Sequence, residues 1–158
     1  MSVALRQKPK AVKTVSPPWW QGGVIYQLYV RSFYDSNGDG VGDLRGVIMK
    51  LDYIKSLGVD AIWLSPVTVS GNADWGYDVI DYKNIDPDLG TMEDFDELLQ
   101  KAKSHGIKII TDLVPNHTST KHPWFQNALT GRNAKYRDYY IWANPKKRRK
   151  PPSNWKSY

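Results

Sequence analysis

Asp35, Asn37, Asp39 and Asp43 fall on alternating positions of the stretch DSNGDGVGD. Carboxylates this close repel one another unless a cation lies between them. A hard divalent ion such as Ca2+ takes roughly six to eight oxygens from carboxylates, amides and backbone carbonyls. Gly38, Gly40 and Gly42 permit the tight turns that let a short loop wrap an ion, and the backbone carbonyl of Val41 would be the fifth protein ligand. The stretch begins like an EF-hand, but that motif carries Glu at its twelfth position, where this chain has Gly46. The apolar, β-branched and aromatic run before it, Val24 to Val30, reads as a strand and not as an entering helix. The expectation is a cation loop after a strand, holding Ca2+ or Mg2+ in a structural role. A pair of Asn-Gly and Asp-Gly turns with solvated acids is the alternative reading of the same residues.

Two further groups have chemistry in them. Asp112, Asn116 and His117 put a carboxylate, an amide and an imidazole around one segment, and Pro115 stiffens the turn between them. Such side chains suit hydrogen bonding to hydroxyls, although a histidine beside a proline is often structural. Asp74, Trp75, Tyr77, Asp78, Asp81 and Tyr82 mix three carboxylates with three aromatics. An Asp beside a Tyr ring can grip sugar hydroxyls while the ring covers an apolar sugar face. A surface loop with packed tyrosines fits the same residues.

These groups need elements to position them. Apolar residues at 44, 47, 48, 51, 54 and 57 have helical spacing, and Gly58 is placed to end that helix. Asp60 to Leu64 reads as a second strand, buried on both faces and stopped by Pro66. Residues 65–90 read as a long loop. Thr91 is a helix N-cap with Asp94 as an imperfect capping-box partner, and the helix closes at His105-Gly106. Ile107 to Val114 reads as a third strand, ended by Pro115. A short helical piece is expected near Trp124 to Leu129. Strands that alternate with helices predict a parallel α/β sheet with right-handed crossovers. Either a doubly wound sheet or the start of a (β/α)8 barrel fits, and in both the unusual residues sit at the C-terminal strand ends.

The 158 residues are the size of one ordinary domain, with 41% hydrophobic residues, seven Trp and ten Tyr. That content supports a core. The absence of Cys excludes disulfides and thiolate metal sites. The net charge of +6 is concentrated in two places: Arg6, Lys8, Lys10 and Lys13, and the run from Lys146 to Lys150. Without those nine cations, thirteen basic residues face sixteen acids. The body is therefore mildly acidic, and no nucleic-acid partner is expected. The acidic loop would repel phosphate, which disfavours nucleotide binding. No apolar run reaches signal-peptide or membrane-span length, so no membrane association is expected and the cytoplasm is the expected compartment.

WWQGGVIYQLYVRSFYDSNGDGVGDLRG, LDYIKSLGVDAIWLSP, GYDVIDY, LGTMEDFDELL and DLVPNHTS occur in an order and spacing that resemble the α-amylase family of glycoside hydrolases. The likeness is nearest to its α-glucosidase and oligo-1,6-glucosidase branch and covers roughly residues 19–158. It implies a (β/α)8 (TIM) barrel and retaining hydrolysis of α-glucosidic bonds in small α-glucosides or oligosaccharides. By the same resemblance Asp74, Tyr77 and His117 would bind the substrate glucose, with Tyr77 as stacking platform. Asp112 would orient an active-site arginine and Asn116 would be a structural ligand. Asp35, Asn37, Asp39, Val41 and Asp43 match the branch's cation loop. Trp75 stands where many relatives have a smaller or amide residue.

The resemblance also sets domain boundaries: a flexible basic tail over 1–18, the first three strands and two helices of the barrel over 19–114, and the start of a small inserted domain over 115–158. It places the nucleophile, the general acid and the stabilising carboxylate beyond Tyr158. The chain is thus expected to be an N-terminal portion, inactive alone, with the remainder of the barrel missing. Isomerases and transglycosylases share these motifs, as would a non-catalytic remnant that binds sugar or cation, and both remain as alternatives.

Overall fold

The computed structural model describes residues 16–146, 150, 152 and 153. Three four-residue strands, β1 (Ile25–Leu28), β2 (Ala61–Leu64) and β5 (Lys108–Thr111), form a parallel sheet in the order β1-β2-β5. Ile25, Ala61 and Lys108 lie in register at one end, and Leu28, Leu64 and Thr111 at the other. Beyond that second end, Ser65 N–H donates to Leu28 O at 2.9 Å and Asp112 N–H to Leu64 O at 3.1 Å. Both segments that follow are thereby fixed at the C-terminal rim, as the crossover topology requires.

Helices cover one face of this sheet. The helical spacing over 44–57 resolves into α1 (Leu44–Met49) and α2 (Leu51–Ser56), interrupted at Lys50 with φ −103° and ψ 9°. The buried residues Leu44, Val47, Leu51 and Ile54 run straight across the break, so apolar periodicity alone cannot see it. Between the second and third parallel strands lies α3 (Met92–Ser104). Its capping box is complete with Asp in the usual Glu place: Thr91 Oγ1 accepts from Asp94 N–H at 3.1 Å, and Asp94 Oδ2 accepts from Thr91 N–H at 2.9 Å. Arg45 Nε sits 2.8 Å from the other Asp94 oxygen and ties α1 to α3. The core is the layer between sheet and helices, built on Leu28, Leu44, Leu51, Ile54, Ile62 and Leu98.

Three expectations are corrected. The 65–90 stretch is not a plain loop: β3 (Thr68–Ser70) and β4 (Val79–Ile85) pair antiparallel within it. The sequence hides this hairpin because its register shifts on both sides of Val69 and because Asp81, Lys83 and Asn84 break the apolar pattern of β4. The second parallel strand is not buried on both faces. Ile62 and Leu64 face the helices, whereas Trp63, in register with Gln27 and Ile110, remains 40% exposed. The outer strands are also shorter than read. After Leu28 the chain turns through a 3-10 segment, Val30–Ser32, and Gly42 N–H donates to Arg31 O at 2.7 Å, folding the acidic loop back on it.

After β5 the chain reaches α4 (Pro123–Leu129), capped by the His122 ring, and a 3-10 turn, Arg137–Tyr139. Lys146 and Lys150 form an isolated antiparallel bridge. The rest of that basic run, and residues 1–15 of the expected tail, lie outside the described residues. No helix among the described residues is long and apolar enough to cross a membrane.

Candidate functional site

The β3–β4 turn carries the first group of site residues. Asp78 Oδ1 accepts from Ala73 N–H at 3.2 Å and from Asp74 N–H at 3.1 Å, and Tyr77 N–H closes the tip onto Asp74 O at 2.9 Å. The tip needs left-handed backbone at Trp75 (φ 54°) and Gly76 (φ 98°). Glycine suits the second position, since a Cβ there would stand 3.1 Å from Pro66 O. This turn leaves the Trp75 ring 74% exposed and presents Asp74 to solvent. Tyr77 points the other way, and its hydroxyl donates to Asp112 Oδ2 at 2.9 Å. The loop after the second parallel strand therefore meets the end of the third. Burial, then the Asp112 hydrogen bond and the Asp112 and Asp74 charges, hold the Tyr77 phenol above its ordinary pKa.

The second group leaves the same strand end. Asn116 and His117 are exposed, and Asn116 Nδ2 lies 3.2 Å from His117 Nδ1. Their loop is strapped to β4. The Tyr82 hydroxyl reaches Val114 O at 2.8 Å and His117 O at 2.9 Å, and Ser119 N–H donates to Val79 O at 2.9 Å. Burial raises the Tyr82 phenol pKa. A groove of about 740 Å³ runs beside His117, walled by Tyr82, Val114, Trp124, Phe125 and Tyr140. Tyr77 thus joins Asp112 through its hydroxyl and Asp74 through the backbone, whereas Asn116 and His117 are strapped to β4 and line a groove whose walls include none of those three. Among the described residues no hydrogen bond links the His117 ring to Tyr77 or Asp112. Sequence reasoning gives Tyr82, Asp78 and Ser119 no role of their own. The one signal for Tyr82 was its membership of the acid and aromatic cluster over 74–82.

The acidic loop is a chain of side-chain-closed turns. Asp35 accepts N–H bonds from Gly38 at 2.7 Å, Gly40 at 2.8 Å and Asn37 at 3.1 Å. Asn37 Oδ1 accepts from Asp39 N–H at 2.9 Å, and Asp39 Oδ1 from Val41 N–H at 2.8 Å. The Gly40 and Gly38 amides hold the Asp35 carboxyl below the usual carboxylate range. Asp43 is buried as the N-cap of α1, with oxygens bonded to Gly46 N–H at 2.6 Å and to Ser36 N–H and Oγ at 3.0 and 2.8 Å. Carboxylates, an amide and the Val41 carbonyl make an all-oxygen donor set of the kind hard cations take. The amide bonds also satisfy these acids as turns. Among the described residues no three His, Cys, Asp or Glu side chains are grouped closely enough to hold an ion by themselves. Any ion here would need Asn37 and Val41.

Residues 27–158 match the Alpha-amylase family, described as alpha amylase, catalytic domain. Over 139 residues the chain is 55% identical to an oligo-1,6-glucosidase of Parageobacillus thermoglucosidasius, covering 88% of this chain and 25% of that protein. Over 141 residues it is 57% identical to a trehalose-6-phosphate hydrolase of Escherichia coli (strain K12), covering 89% and 25%. The crystal structure of an α-glucosyl transfer enzyme, XgtA, superposes with a TM-score of 0.86 at 55% identity, covering 89% of this chain and 26% of the other. The chain spans about a quarter of the length of the relatives it matches.

Proposed function

We propose that this chain, which belongs to the α-amylase family of glycoside hydrolases, builds the glucose-recognition part of a site for retaining hydrolysis of α-glucosidic bonds in short oligosaccharides in the cytoplasm. The observation that carries the reading is the 2.9 Å bond from Tyr77 to Asp112. It sets a ring face, the exposed Asp74 carboxylate and a fixed acid on one rim. Asp74 would accept hydrogen bonds from glucose hydroxyls and His117 would donate to the hydroxymethyl end, with the Tyr77 ring against an apolar sugar face. Asp112, already committed to Tyr77 through one oxygen, would orient an arginine with the other.

The reacting carboxylates are a separate matter. Retaining hydrolysis needs a nucleophile and an acid about 5 Å apart. The only glutamates in this sequence, Glu93 and Glu97, start α3, and Glu97 is engaged by Lys101 at 2.9 Å. No aspartate here matches the family's nucleophile either, so we assign recognition, and not bond cleavage, to these 158 residues. Transfer of the glucosyl group to a sugar acceptor would use the same recognition residues. The 55% identity to a glucosyl transfer enzyme keeps that as the second reading. In the acidic loop, Asp35, Asn37, Asp39, the Val41 carbonyl and Asp43 would hold a structural Ca2+ or Mg2+, whose charge would neutralise the clustered acids.

A chimera tests the assignment. Residues 27–146 would replace the matching segment of the P. thermoglucosidasius oligo-1,6-glucosidase, with isomaltose as substrate. The chimera should hydrolyse isomaltose, and Asp74→Ala or His117→Ala should lower kcat/KM by about a hundredfold. A folded chimera without activity, or one indifferent to both substitutions, sinks the proposal.

A further inference from the structure

We infer that Asp78 is a positioning residue that fixes Asp74 and His117 in one frame. The inference rests on the glucose-site reading above and deepens it. Asp78 is 9% exposed and forms no ion pair among the described residues. Its contacts divide between the two loops of the site. Oδ1 accepts from Ala73 N–H at 3.2 Å and from Asp74 N–H at 3.1 Å, holding the turn that presents Asp74. Oδ2 receives the Ser119 hydroxyl at 3.4 Å, two residues past His117. Its carbonyl accepts from Gly71 N–H at 3.0 Å, and its neighbour Val79 O accepts from Ser119 N–H at 2.9 Å.

One buried carboxylate thus bridges segments far apart in sequence. A carboxylate suits the place because its two oxygens can take two amides on one side and a hydroxyl on the other. Unpaired, those donors would relax independently, and the Asp74 turn would lose its register with the His117 loop. Gly71 gives independent evidence of how tight the bridge is. A Cβ on Gly71 would stand 2.3 Å from Asp78 Oδ2 and 3.1 Å from Ser119 Oγ. Glycine there leaves room for the bridge, and Gly71→Ala should push it apart without changing any bonding group.

The test uses the 158-residue chain, labelled with 15N and titrated with D-glucose, reading the Ala73 and Asp74 amides and the His117 ring by NMR. Asp78→Ala should weaken glucose binding by about tenfold or more and shift the His117 ring signals even without sugar. Asp78→Asn should recover most of both, because its oxygen can still accept the two amides and its amide can donate to Ser119. Gly71→Ala should resemble Asp78→Ala. Unmoved His117 signals in folded Asp78→Ala and Gly71→Ala proteins overturn the inference. Failure of the parent chain to bind glucose counts against the glucose site instead, and the sugar-free His117 signals then decide the role of Asp78.

Discussion

Tyr77 and Asp112 come from different strand ends and share a 2.9 Å hydrogen bond. Neither residue is free to move alone, so the antiparallel hairpin acts as a brace on the parallel sheet. The same bond orders the rim and raises the Tyr77 phenol pKa, after burial, because a proton leaving that hydroxyl would strand two negative oxygens side by side.

Tyr77→Phe removes the donor and keeps the ring. A hydrogen bond to a charged acceptor contributes about 1.5–3 kcal/mol when buried. With both residues only half-buried, the expected loss is about 1 kcal/mol. Urea unfolding should show a lower midpoint at unchanged slope. An unchanged midpoint would mean that Asp112 is satisfied as well by water.

The acidic loop should respond to divalent ions. Isothermal titration of the chain with Ca2+ and with Mg2+ should give heat for at least one, and Asp39→Ala should abolish it. Because an ion that binds only the folded state stabilises it by mass action, the melting temperature should rise with ion concentration in the parent alone. No heat and no rise with either ion would leave the loop as a set of turns closed by Asp35 and Asp39.

The parts of the fold legible in sequence were those where one principle acts alone. Thr91, Asp94, Gly58 and Gly106 marked helix ends because caps and left-handed C-terminal residues have narrow chemical requirements. The rim residues Asp74, Tyr77 and Asp112 were legible through the family's motifs. The β3–β4 hairpin was not, since shifted register and polar outward residues erase the two-residue period. Nor was Trp63's exposure, because a strand of apolar residues reads alike whether one face is covered or two. Asp78 and Tyr82 act through backbone carbonyls, amides and Ser119, partners that no sequence spacing announces.

His122 gives the chain an acid-sensitive joint. Its buried ring accepts from Trp124 N–H at 3.1 Å through Nδ1 and so caps α4. Burial lowers its pKa, with the Asp81 charge opposing. The folded state therefore binds its proton later than the unfolded chain does as pH falls. The contribution to stability is complete above the unfolded value of about 6.5 and is lost as pH falls through the lower folded value. Unfolding midpoints should drop between pH 7.5 and pH 5 in the parent, against the opposite contribution of His105, whose pKa the Lys101 carbonyl and then Asp52 raise. His122→Asn, which keeps a cap and removes the titration, should flatten that drop. An equal drop in both proteins would place the sensitivity elsewhere.

The sheet itself predicts how the 158-residue chain behaves in solution. Among the described residues the outer edges of β1 and β5 pair with no strand. Trp63 and Ile25 lie open, and a groove of about 530 Å³ along β5 is lined by Trp19, Leu99, Ile107 and Ile110. Unpaired edges beside exposed apolar surface template pairing with other chains. Sedimentation velocity should show association that grows with concentration, and a lysine placed at Ile110, central on the β5 edge strand, should weaken it. The same chain, with proposed recognition residues but no assigned nucleophile or acid, should not turn over p-nitrophenyl α-glucoside. The two measurements separate the claims: a monodisperse monomer would show that the edges are protected, whereas turnover abolished by Asp74→Ala would return bond cleavage to these residues.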